Sequence, residues 1–363
     1  MNLVNTSYSK DDVEILLQDV KGKVPVLDTL EREKLNQAGV HYSEMLPLEY
    51  VPTDKYMEIY NKSLSELSLE TAMAVKLLSE KLYEKYNDKL VIVSLARAGT
   101  PVGILVKRYI KYFYNINVPH YSISIIRGKG FDVKAMEYIV DKHGVYGIQF
   151  LDGWVGKGAI NNVLVESCKA LEELDKKFIG LDSSLAVLTD PAGVTDLYGT
   201  TQDFLIPSAC LNSTVSGLIS RTVEMAGITV GGYHGAVFYD NLVDNDKSYE
   251  FINSVTSYFD KLGESMFDEH CFDGMEDYKG IDEVKKIGQD FGIDDINKIK
   301  PGVGETTRVL LRRVPYKVLI NKNADKKYLQ HILRLAEEKN VEVVEYDLKR
   351  YNCCGIIKDV SDL

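Results

Sequence analysis

Between Leu90 and Thr189 the chain alternates short apolar runs with amphipathic stretches, and this alternation constrains the fold more than any other feature. Leu90-Val-Ile-Val-Ser94, His120-Tyr-Ser-Ile-Ser-Ile-Ile126, Tyr146-Gly-Ile-Gln-Phe-Leu151 and Leu185-Ala-Val-Leu-Thr189 read as buried strands. Helical periodicity fills the gaps, over 101–114, 133–140 and about 158–178. Strands that alternate with helices predict a parallel sheet with helical crossovers. Ligands of such sheets sit at the carboxyl ends of the strands, so the residues just after each run are those to inspect for chemistry. Upstream, apolar residues recur every three or four positions from Asp54 to Tyr86 and predict one or two amphipathic helices. Downstream, about 266–304 reads as a linker or small subdomain. A second run of helix and strand patterns follows it: helix 306–313, strand 316–320, helix 326–338, strand 341–344 and end strand 355–358.

Charge divides the chain at the same place. The net charge is −11, which disfavours nonspecific coating of nucleic acid. From Lys298 to Leu363, however, there are 14 basic and 9 acidic residues, which leaves 29 basic and 45 acidic in the rest. The shift marks a boundary with a different partner beyond it. The expected division is an N-terminal helical extension (1–85), a main α/β domain (86–265), a linker or subdomain (266–297) and a small C-terminal α/β domain (298–363). Five cysteines without a CxxC spacing and six scattered histidines predict reduced thiols and no structural zinc. No apolar run reaches the roughly 18–20 residues that span a bilayer, and the N-terminus lacks the order of a signal peptide, so the expected location is cytoplasmic.

The third strand runs into Asp152-Gly153-Trp154-Val155-Gly156-Lys157-Gly158-Ala159. An acid at a strand end, glycines and a following helix form an anion cradle, because backbone N–H groups at a helix N-terminus point at the ligand. Lys157 would add positive charge, and Asp152 would hold ribose hydroxyls or magnesium. A glycine-rich turn packed on the sheet without a ligand is the simpler reading. The first strand ends in Ala96-Arg97-Ala98-Gly99, where the guanidinium suits bidentate phosphate contact. Arg127 and Lys129 lie in a loop that would cover the site. Asp190, Asn212, Ser213 and Thr214 follow as candidates for the acceptor side, the last three also being good helix N-caps.

Asp152 and the loop Gly156–Ala159 resemble the phosphoribosyl pyrophosphate (PRPP) loop of type I phosphoribosyltransferases, and 96–99 resembles their pyrophosphate loop. Gly153 stands where that motif has a second acid. The runs LDGWVGKGAI, DPAGVTDLYGT and DFLIPSACLNSTVSGLISRTV resemble the phosphoribosyltransferase-like proteins of bacterial tellurite- and stress-resistance clusters, some of which are labelled StiP-type cysteine proteases. The resemblance implies a Rossmann-like phosphoribosyltransferase fold, with PRPP or a ribose phosphate as ligand, Mg2+ as cofactor with Asp152 as its ligand, and ribosyl transfer or cleavage as the reaction. Pro301-Gly-Val-Gly-Glu-Thr-Thr-Arg308 resembles the pelota-type RNA-binding domain, in which Gly302, Gly304, Glu305 and Arg308 would meet structured RNA. A lid over the enzyme site is the alternative for that segment. Two other functions stay open. One is a cysteine hydrolase with Cys210 as nucleophile, close before a predicted helix, and His234 as base. The other is a non-catalytic nucleotide or RNA sensor. Acceptor, RNA target and oligomeric state are open at this level.

Overall fold

In the computed structural model, residues 2–229, 231–262 and 277–358 are described. The amphipathic pattern over 54–86 forms a single helix, Asp54–Tyr86, opened by Thr53. Tyr60, Ser63, Leu67, Thr71, Val75, Leu78 and Leu82 lie three or four residues apart and share its buried face. No described helix is long and apolar enough to cross a membrane.

The four predicted strands join one largely parallel sheet. Its order is Glu14–Ile15, His120–Ile126, Val91–Ala96, Ile148–Trp154, Leu185–Thr189 and Leu197–Thr200, with Gly130–Phe131 antiparallel beside His120–Ile126. Both faces are covered, which is why the strands read as continuous apolar runs. Ile92 faces a core shared with helices Asp54–Tyr86 and Gly99–Tyr114, while Val91, Val93 and Leu95 face helices Val133–His143 and Ala159–Leu174. From the central strand Val91–Ala96 the chain crosses to one side and then returns to the other. The loops after Val91–Ala96 and Ile148–Trp154 therefore diverge and open a crevice.

Among the strands that escaped the sequence pattern are two of the parallel ones in this sheet. Glu14–Ile15 is too short to show a period. Leu197–Thr200 contains Gly199, where a Cβ would meet the Ala74 carbonyl oxygen at 2.2 Å, and a strand glycine weakens the signal of its own strand. The helix expected before Arg221 is instead a single 3-10 turn, Ser213–Val215, ended by positive φ at Gly217 (74°) and Leu218 (58°).

The C-terminal residues form a second, four-stranded sheet in the order Ile299–Pro301, Cys353–Ile357, Pro315–Asn321, Glu342–Tyr346. Helices Val303–Arg312 and Lys326–Glu338 pack on it together with Gly280–Phe291, which falls inside the expected linker; residues 266–276 of that linker lie outside the described residues. This part is not hung on a tether. One apolar core runs from Leu188, Phe204, Leu205 and Ala209 into Val303, Leu310, Ile332 and Cys353. Cutting at 298 would therefore bare apolar surface on both pieces.

Candidate functional site

The crevice at the strand ends is walled on its far side by the C-terminal helix Val303–Arg312. Leu95, Ala96, Arg97, Ala98 and Asp152 come from the first sheet, and Lys300, Glu305, Arg308, Arg312 and Arg313 from the second part. The cavity measures about 420 Å³. Arg97, Asn212, Arg221, Arg312 and Arg313 also line a neighbouring cavity of about 470 Å³, whose other wall includes Pro47, Leu48, Tyr50, Tyr56 and Cys210.

Arg97 sits where the sequence placed it, just past a strand end, and the Ala96–Arg97 peptide is cis. Gly99 opens the following helix against the neighbouring strand, where a Cβ would lie 2.4 Å from the Leu151 carbonyl oxygen. Arg97 Nη1 donates to the Ile219 carbonyl (3.1 Å) and Nη2 to Asn212 Oδ1 (3.1 Å). Arg312 Nη1 donates to the same Asn212 oxygen (2.6 Å), and its Nη2 to the Cys210 carbonyl (2.8 Å). One neutral side chain thus draws two cations together. Arg221 is anchored on the Tyr42 and Met45 carbonyls (2.6 and 2.7 Å). Burial and the neighbouring cations Arg32 and Arg97 push Arg221 down to about 10, and burial with Arg308 and Arg97 does the same to Arg312.

Asp152 Oδ1 accepts from its neighbour's backbone, Gly153 N (2.7 Å). Burial raises its pKa to about 7, Gly153 and Arg308 restrain the rise, and Glu305 adds to it. Glu305 is itself raised by burial, but Arg308, Lys300 and Arg312 outweigh that and hold it below the usual carboxylate range. Arg308 donates to Glu305 (3.3 Å) and lies 4.6 Å above the Trp154 ring. Asp152 and Glu305 are the carboxylates of this cavity. Among the described residues, no three His, Cys, Asp or Glu side chains come together as metal ligands would.

Several expected residues have other partners. Lys157 turns from the loop to donate to the Ile296 and Ile299 carbonyls (2.5 and 3.2 Å). Burial and Lys300 lower it to about 8. The Gly156 carbonyl accepts from Tyr351 (2.6 Å), so the glycine loop is covered by the C-terminal part. Asp190 Oδ2 accepts from Val194 and Thr195 N–H (2.6 and 2.8 Å) and organises its own loop. Ser213 N donates to Glu49 (3.4 Å), and the Thr214 carbonyl accepts from Lys247 N. The Arg127 loop is tied to the N-terminal segment through Tyr42 and His41, and Lys129 pairs with Glu44 and Glu224.

Cys210 and His234 are not brought together. The Cys210 thiol meets Ser63 Oγ (3.6 Å), whereas His234 Nδ1 meets Ser124 Oγ (2.9 Å) and its N–H donates to Asp132. Burial pushes the Cys210 thiol up to about 11, although Ser63, Arg312 and Arg308 favour the thiolate. Cys168, Cys353 and Cys354 are buried as well, and Cys271 lies outside the described residues.

The pelota-like motif faces inward. Gly304 stacks against Trp154 and Ala209, and Val303 N–H donates to Asp203 Oδ1 (2.8 Å). Asn352 completes the seam: its N–H donates to Asp203 Oδ2 (2.8 Å) and its amide to the Asp203 carbonyl (2.6 Å). Sequence reading missed Asp203, although it is an acid just past a strand end like Asp152. The signal was hidden because its strand, Leu197–Thr200, went unrecognised.

The profile of the family described as "Tellurite-like stress resistance cysteine protease StiP" matches residues 6–256. This chain belongs to that family. A StiP-family relative from Acinetobacter baylyi, named "Cysteine protease StiP", is 35% identical over 370 aligned positions, which cover 98% of this chain and 94% of the relative. The profile of the "PELOTA RNA binding domain" matches residues 278–359, so the C-terminal part of this StiP-family chain is a pelota-type domain. No solved structure matches the chain. These matches overturn the expectation of a phosphoribosyltransferase acting by ribosyl transfer: the family and the relative are both named as cysteine proteases, a hydrolase class and not a glycosyltransferase one.

Proposed function

We propose that this StiP-family chain is a stress-associated cysteine hydrolase whose thiol is Cys210. The family match carries the reading, since it spans the main-body wall of the cleft, Cys210 included. Position supports Cys210, because it lines the larger cavity at the strand ends, with its carbonyl held by Arg312. Attack on an acyl carbon requires the thiolate. With the thiol raised to about 11, activation depends on opening the Ser63 contact and exposing the sulfur to Arg308 and Arg312, which already favour the charged form. A protein or peptide substrate entering from the Tyr50 and Tyr56 side would supply that opening.

The test is hydrolysis of an unfolded protein substrate by the full chain, before and after iodoacetamide treatment. Cys210→Ser should abolish turnover while circular dichroism and melting temperature stay unchanged. Full turnover in Cys210→Ser, with loss in a parallel Cys271→Ser, would move the thiol elsewhere.

RNA contact through the pelota-type domain is a second reading, supported by the match at 278–359. Because Gly302, Gly304, Glu305 and Arg308 face the cleft, RNA would reach them only after undocking. Full-chain gel shifts with a kinked RNA at low and high salt test this, since phosphate contacts weaken steeply with salt.

A further inference from the structure

The 420 Å³ cavity is lined by six cations, Arg97, Arg221, Lys300, Arg308, Arg312 and Arg313, and by two carboxylates, Asp152 and Glu305, in a chain of net charge −11. Clustering like charges in a partly desolvated pocket is costly unless something compensates it. The protein compensates only in part. The Nε–H groups of Arg221, Arg308 and Arg312 are buried without any acceptor among the described residues. Arg97 and Arg312 share the single oxygen of Asn212, while a guanidinium has five donors in a planar fork. Six converging cations against two carboxylates leave the cavity with an excess of positive charge, and that excess calls for an anionic ligand.

The cations come from both parts of the chain. Arg97 and Arg221 belong to the main body; Lys300, Arg308 and Arg312 flank or lie on the helix Val303–Arg312. The main-body carboxylate Asp203 locks that helix in place through Val303 N–H. The adjoining 470 Å³ cavity is walled partly by Pro47, Leu48, Tyr50, Val51 and Tyr56. A cationic end and an apolar, aromatic end in contiguous space match a small molecule with an anionic head and a flat body. They do not match a duplex.

We propose that the cleft is a composite site for a small phosphorylated ligand of nucleotide size, its phosphoryl oxygens held by Arg97, Arg221, Arg308 and Arg312 and its body against Tyr50 and Tyr56. The pelota-type domain supplies half of this site with the residues its relatives' motif would turn toward RNA. Binding does not depend on the thiol chemistry proposed above: the ligand is held by guanidinium groups, and Cys210 is on the neighbouring wall.

Calorimetry and thermal shift on the full chain test the proposal, with inorganic phosphate, ADP and adenosine as probes, each with and without Mg2+. Both wild type and Cys210→Ser are used, so that failure of the hydrolase reading leaves this result intact. ADP should bind once per chain and raise the melting temperature, phosphate should compete with it, and adenosine alone should not bind. Arg308→Met and Arg312→Met should each weaken ADP by about tenfold or more, the usual scale for losing one charge-assisted contact. Should Arg312→Met unfold because of its Asn212 and Cys210 contacts, Arg308→Met alone decides. Two outcomes overturn the proposal. In one, neither ADP nor phosphate binds or stabilises the wild type, or ADP binds the variants as tightly as it binds the wild type. In the other, a structured RNA binds in an Arg308-dependent way while ADP and phosphate do not, which assigns the surface to nucleic acid.

Discussion

Along the seam between the two sheets, Asp203 and the arginines a short way off have opposite bonding. Each Asp203 carboxylate oxygen accepts a backbone N–H from the pelota-type domain, and its carbonyl accepts the Asn352 amide. Glu283 does the same within that domain, taking Lys349 and Arg350 N–H at 2.6 and 2.9 Å. Arg221, Arg308 and Arg312 are only partly buried and keep an unanswered Nε–H each. A buried polar group that is fully satisfied holds structure together; cations that converge on a cavity with too few carboxylates are available to a ligand. The first region should therefore govern stability, and the second should govern binding with little effect on stability.

The sharpest way to break that contrast is Asp203→Ala. It strands two backbone N–H groups in the seam at about 1–3 kcal/mol each, so urea denaturation should show a loss of about 3 kcal/mol. A change within about 0.5 kcal/mol would mean the seam is held by the shared apolar core alone. Arg308→Met should behave differently. It removes one contact to Glu305 and the stack on Trp154, worth about 1 kcal/mol together, and relieves repulsion from Arg312, so the net change in unfolding free energy should fall below about 1 kcal/mol. A loss equal to that of Asp203→Ala would place Arg308 on the structural side of the comparison.

Proton linkage refines the contrast. Burial raises Asp203 and Asp152 from the ordinary value near 4 to about 7, so the folded state holds protons there that the unfolded state releases. Their contribution is fully present below the unfolded pKa and declines as pH rises through the window from about 4 to about 7. Asp182, lowered to about 2, works in the opposite direction: burial raises it, but Lys85 and Ser184 outweigh that. Its contribution is lost only as pH falls below about 4. Melting temperature against pH should therefore decline from pH 5 to 7 more steeply in wild type than in Asp203→Asn; equal slopes would remove Asp203 as a source of the linkage. The smallest expected effect concerns Cys210. Its alkylation rate should climb with pH throughout the range from 7 to 9 without levelling, because the thiol titrates near 11. A plateau near neutrality would show that the cleft already holds a thiolate.

Much of the first sheet was legible in the sequence, because a parallel strand buried on both faces leaves a continuous apolar run that little else produces. The acid near the end of Ile148–Trp154, the glycines after that strand and the arginine after Val91–Ala96 were legible for the same reason: strand ends locate the crevice. The purpose of those residues was not. Lys157 was expected at a phosphate and instead ties down Ile296 and Ile299. Cys210 and His234, the nucleophile and base of the alternative hydrolase reading, bond to Ser63 and Ser124 on different elements, since no local spacing encodes a long-range pair.

The sequence by itself determined the alternation of strand and helix, the long amphipathic helix, the charge break near Lys298 and the likeness of 301–308 to an RNA-binding motif. All of these are local, set by periodicity and composition within a few turns of chain. Only the tertiary structure decided where that motif points. Asp203 and Asn352 are 149 residues apart, and their bonds turn the helix Val303–Arg312 inward, so that its arginines meet Arg97 and Arg221 across a cavity. The physical reason is that a charge cluster is a property of converging surfaces: Arg97 and Arg308 belong to separate motifs in the sequence, and only packing brings them together with Arg221 and Arg312 around one cavity.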